Sequence, residues 1–86
     1  MNVAVDILTD DFKEAINAIN DLEDIFTATE WSIDRMQDDS FSVSGVVLDA
    51  DITAMHALLE DGVACNAQTI QLQAPKVSIK WSPTCR

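Results

Sequence analysis

The side chains in this sequence with chemistry to offer are few. They are one histidine, His56, two cysteines, Cys65 and Cys85, three pairs of nearby aspartates, and the alternating serines Ser40, Ser42 and Ser44. An imidazole acts as a base only beside a nucleophile in a shaped pocket, and holds a metal only where several ligands converge. His56 stands one helical turn after Ile52 and one before Glu60, and no metal-ligand motif surrounds it. It reads as a partly exposed helical histidine. Asp10 with Asp11, Asp38 with Asp39, and Asp49 with Asp51 present hard oxygen ligands of the kind that Ca²⁺ takes. No stretch has the calcium loop's central glycine and terminal glutamate, and each pair falls where a helix cap or a turn is expected.

Carboxylate pairs also hydrolyse glycosides when they are set across a cleft. Among fifteen acids, however, accidental pairs are guaranteed. The two glycines are isolated and cannot cradle a phosphate, and the serines lack a nucleophile-elbow context. The chain is therefore expected not to be an enzyme and to carry no metal or cofactor. The cysteines show no CxxC spacing, so free thiols are expected ahead of a disulfide or a metal role.

The elements that must position these groups follow from periodicity. Val3, Val5 and Ile7 alternate as a strand over residues 3–8. Thr9 is a candidate helix cap, with Asp10 and Asp11 in the first turn, where the helix dipole favours negative charge. Phe12, Ala15, Ile16, Ile19, Leu22 and Phe26 then recur as one apolar stripe, opposite Glu14, Asn17, Asn20, Asp21 and Asp24. A hairpin follows over residues 31–49, turning at 37–40, with Gly45 marking an expected bulge. Asp49 or Asp51 caps a short helix in which Ile52, Met55 and Leu59 share a face, and Gly62 closes it. Ile70 and Leu72 point inward from a strand over residues 68–73. Beyond Pro75, Val77, Ile79 and Trp81 alternate in a last strand, which belongs at a sheet edge.

The expected fold class is α+β. The order strand, helix, strand, strand, helix, strand resembles the ferredoxin-like βαββαβ sandwich, an antiparallel sheet with two helices on one face, here with an extra C-terminal edge strand. That resemblance concerns architecture alone, and the fold hosts many unrelated functions. Residues 1–86 are expected to form a single acidic domain, since a chain this short buries only roughly 60–65% of its unfolded surface. With 48% hydrophobic residues, it is too apolar for a disordered acidic tail. No apolar run approaches the roughly 18–20 residues of a membrane span. Met1 opens onto Asp6, Asp10 and Asp11 without the basic start and apolar stretch of a secretory leader, so the cytoplasm is the expected setting.

Charge narrows the partner. All fifteen acids lie in residues 1–61, opposed there only by Lys13 and Arg35, and the formal net charge is −10. Lys76, Lys80 and Arg86 follow with no acid among them. Phosphate contacts dominate nucleic-acid affinity, and this surface opposes them. The outward sheet positions are expected at Ala4, Asp6, Ser42, Ser44, Thr69 and Gln71, without the stacking aromatics of an RNA-binding sheet. Trp31, Phe41 and Trp81 align inward.

Direct nucleic-acid binding and membrane association are thus not expected. The surplus carboxylates Glu14, Asp21, Glu23 and Asp24, with Asp34, Asp38 and Asp39, are the candidate partner-binding residues. They imitate phosphates toward a basic protein surface and speed its docking. The expected function is a non-enzymatic inhibitor or regulator of a nucleic-acid-handling complex. In kind, though without a shared motif, such a chain is similar to phage anti-CRISPR and anti-restriction proteins, which would place it in the host cytoplasm. The alternatives are a small-molecule-sensing domain of a ferredoxin-like dimer and a structural assembly component. The C-terminal edge strand offers a route to a homodimer.

Overall fold

Strand β1 (Val3–Thr9) forms where Val3, Val5, Ile7 and Thr9, all buried, alternate with more exposed residues. In the computed structural model, which describes residues 1–26, 30–60 and 62–83, β1 is followed by α1 (Phe12–Ile25), β2 (Trp31–Arg35) and β3 (Phe41–Val47). Then come α2 (Ile52–Leu59), β4 (Thr69–Gln73) and β5 (Ser78–Trp81). The fold is α+β. All five strands form one antiparallel sheet in the order β2-β3-β1-β4-β5. The strand expected at the C-terminal edge is β5.

Both helices lie on the face to which β1 turns its valines. α1 packs on β1 and β3, and α2 on β4. Ala15, Ala18 and Leu22 of α1 join Ile52, Met55 and Leu59 of α2 in one core with Val43, Ile70 and Leu72. Full burial of each large aliphatic side chain is worth about 1.5–3 kcal/mol, which offsets the entropy of ordering so short a chain.

Several local expectations are corrected. The cap of α1 is Asp11, whose carboxylate accepts from the Lys13 amide at 2.9 Å. Thr9 instead ends β1, and its buried hydroxyl accepts from the Asp11 amide at 3.2 Å. The apolar stripe of α1 is rotated. Phe12 and Ile16 are 52% and 40% exposed, and Ala18 takes the place at the sheet. Two alanines let the helix backbone sit close to the strands, so the larger side chains spread to the flank. There Phe12 meets Phe41 edge-on, with ring centroids 5.3 Å apart.

Gly45 makes no bulge, because register runs unbroken through it, from Val5 to Gly45 to Trp31. It supplies space: a Cβ at this position would lie 2.7 Å from the Glu30 carbonyl oxygen, with the Trp31 ring as close. Asp51 caps α2 by accepting from the amides of Thr53 and Ala54 at 2.9 and 3.3 Å. After α2, Gly62 has φ +117°, a value that favours glycine.

Cys65 is disulfide-bonded, against the expectation of a free thiol. Disulfide pairing depends on what the fold brings within reach, and sequence spacing does not report that. Cys85, Arg86 and Asp61 lie outside the described residues. Among the described residues, no helix is long and apolar enough to cross a membrane.

Candidate docking face

The helices cover one face of the sheet and leave the other open. One line of paired positions crosses all five strands on the open side: Ser32, Ser44, Asp6, Gln71 and Lys80. Beside it runs the line of Asp34, Ser42, Leu8 and Thr69, and on its other side that of Val46, Ala4, Gln73 and Ser78. The alternation expected for Ala4, Asp6, Ser42, Ser44, Thr69 and Gln71 holds at each of them. Hydroxyls tie the face together. Ser42 donates to Asp6 Oδ1 at 2.8 Å, and the Ser32 and Ser44 hydroxyl oxygens are 3.3 Å apart.

An open groove of ≈ 820 Å³ runs over this face. Ala4, Val46 and Leu48 give it an apolar side, and Asp6, Glu30, Ser32, Ser44 and the amides Gln71 and Gln73 give it a polar one. Among the described residues, Asp6, Glu30 and Asp34 make no ion pair; the two pairs present are elsewhere. The face thus holds three uncompensated carboxylates on or beside β1 and β2, and a lysine, Lys80, on β5. A cationic side chain can rest its aliphatic stem on Val46 and Leu48 and turn its head toward the acids.

The seven acids singled out from sequence do not form one row. Glu14, Asp21, Glu23 and Asp24 stand on α1, in the layer opposite Asp34. Within α1, Glu14 and Asp21, two turns apart, share a flank, whereas Glu23 lies on the other side of the helix. Asp38 is committed to its turn, where its carboxylate accepts from the Ser40 amide at 3.1 Å and from the Ser40 hydroxyl. These bonds, the hydroxyl's first, hold the Asp38 carboxyl below its ordinary range. Asp39 pairs with Arg35 at 2.7 Å, both largely exposed, so that pair contributes little stability. Asp34 alone of the seven belongs to the open face.

The sequence reading did not select Asp6 and Glu30. Asp6 had been placed outward by alternation. Extending the β2 alternation one position before Trp31 puts Glu30 on the face of Ser32 and Asp34, so the signal for both was present.

His56 is occupied otherwise. Its Nε2 is 2.8 Å from a Glu60 oxygen, and its ring meets Trp81 of β5 edge-on, with centroids 4.7 Å apart. It fastens α2 to the edge strand. Among the described residues, no group of three or more His, Cys, Asp or Glu is placed to hold a metal.

Comparison with family models, curated proteins and solved structures gives no match. The chemistry of the face must therefore speak for itself.

Proposed function

We propose that this chain is a non-enzymatic acidic docking module, a ferredoxin-like sandwich with an added edge strand, which receives a basic protein surface on the open face of its sheet. The architecture is supported by the element order and by a sheet in which β1 lies between β3 and β4, with β2 beside β3. The observation that carries the docking reading is the group of Asp6, Glu30 and Asp34, which make no ion pair among the described residues and stand on the sheet face that neither α1 nor α2 covers. The partner class we favour is a protein whose lysines and arginines otherwise meet phosphates. Carboxylates on that surface block it, and the module then acts as an inhibitor or regulator. Nucleic acid itself is disfavoured by the same acids and by the net charge of −10.

Small-molecule sensing is the competing reading. The groove's ≈ 820 Å³ falls in the size range of ligand sites. Those sites enclose most of a ligand, whereas this one is open along a sheet surface. The Cys65 disulfide bears on the setting, because a reducing cytoplasm opens disulfides, and docking there would be done by the reduced chain.

The test is an amide chemical-shift titration with a peptide rich in lysine and arginine, at low and moderate salt. Perturbations are expected at Asp6, Ser32, Asp34 and Ser44, fading with salt and lost in the Asp6→Asn, Glu30→Gln, Asp34→Asn variant. Perturbations on Glu14, Asp21 and Asp24 that survive the triple substitution would move the docking site to α1 and refute the open-face assignment.

A further inference from the structure

The two outer edges of the sheet are unlike in charge and alike in their apolar side, and we infer that they fit each other in successive copies of this chain. At one edge, β2 presents Asp34 on the open face, with Glu30 just before the strand. At the other, β5 presents Lys80 on that same face, with Lys76 in the turn before the strand. Underneath, on the helix side, each edge holds a half-buried pair: Trp31 and Ile33 on β2, Ile79 and Trp81 on β5. Edge strands carry unpaired amides and carbonyls, which are a template for another strand.

Like edges repel. β5 against β5 sets lysines beside lysines, and β2 against β2 sets Glu30 and Asp34 beside their own kind. Like charges across a strand pair are destabilising and opposite charges favourable. Only β5 of one copy against β2 of the next satisfies the charges and also continues the apolar layer from Ile79 and Trp81 to Trp31 and Ile33. The antiparallel pairings make β2 and β5 run in the same direction, so the joined strands are parallel when the helices stay on one side. A homodimer through β5 alone is the arrangement these charges oppose.

Such a head-to-tail contact is heterologous, and closes into a ring only if its rotation allows. Adjacent strands twist by roughly 20–25°, so five strand steps turn each copy by about 100–125° about the line of growth. That rotation is along the direction of translation and gives an open helical chain. One short strand pair is small beside the roughly 1,200–2,000 Å² of stable complexes, so the association needs high protein concentration.

The experiment is sedimentation velocity over a concentration series, on the intact chain and on Asp34→Lys and Lys80→Glu. Both positions are exposed, so the variants should fold. The wild-type weight-average sedimentation coefficient is expected to rise continuously with concentration. Each single reversal should lower the association constant about tenfold. Mixing the two variants should restore it, because each then offers the edge that the other lacks. A two-fold dimer that is indifferent to Asp34→Lys, or a mixture no more associated than its components, or a wild type monomeric throughout the series, would overturn the inference.

Discussion

Gly45→Ala tests how the edge strand β2 is seated over the helix side of the sheet. The new methyl would lie 2.7 Å from the Glu30 carbonyl oxygen and from Trp31 Cζ3, with Trp31 Cε3 nearer still. Real carbon contacts stay well beyond that, so the ring or β2 itself must move. Trp31 packs against the core, so displacing its ring gives up those apolar contacts. Overpacking of this kind costs about 1–3 kcal/mol, and a backbone atom among the clashing partners puts this case at about 2–3 kcal/mol. For a domain of this size each kcal/mol lowers Tm by about 4–8 °C, so the melt should fall by about 10–20 °C. Urea denaturation followed by far-ultraviolet circular dichroism reads the same quantity. In a Trp31→Leu background the ring clash disappears while the carbonyl clash remains, and the cost should shrink to about 1 kcal/mol. A Gly45→Ala protein as stable as the parent, or a penalty unchanged by Trp31→Leu, would refute the account of Gly45 as the space for Trp31.

Gly62 is the opposite case, with open space around a Cβ but φ at +117°; Gly62→Ala should cost about 1 kcal/mol by the same melt, wholly through backbone strain. Asp38, held below its ordinary value of 3.8 by Ser40, contributes stability that is complete above that value and is lost as pH falls through the depressed folded value. A carboxyl-carbon titration should place Asp38 below the ordinary aspartate value, and Ser40→Ala should return it toward that value. Reducing the Cys65 disulfide should destabilise the fold by about 2–5 kcal/mol, seen as a Tm that drops on addition of reductant.

The strands were legible because their period is short and their buried residues are β-branched or large. Val3, Val5 and Ile7, then Ile70 and Leu72, announce both strand and facing without help from anything distant. The phase of α1 was not. Hydrophobicity picks out Phe12 and Ile16, while the contact with the sheet belongs to Ala15 and Ala18, chosen for how closely the backbone can approach. Gly45 looked like an irregularity along the chain, and its reason lies across the sheet in the ring of Trp31. The Cys65 disulfide was hidden for a similar cause, since only the folded path decides which thiols meet. Counting acids found the excess charge but could not sort it by layer. Once the sheet is in place, Asp34 parts from the acids of α1 and joins Asp6 and Glu30, which along the chain stand apart from it, one in β1 and the other just before β2.

The position of β1 at the centre of the sheet has a consequence for how the molecule comes to be folded. Val3 pairs with Val47 and Ala4 with Gln73, so the strand nearest the start of the chain has both neighbours far downstream. The hairpin of β2 and β3 and that of β4 and β5 close locally and can form early. β1 must wait for both, because loop-closure entropy is paid before such distant pairings return anything. During synthesis, β1 can gain its first neighbour only when β3 has left the ribosome, and its second only when β4 has. The nucleus should therefore be sought in the hairpins and α1, with β1 locking the two halves together in the final cooperative step.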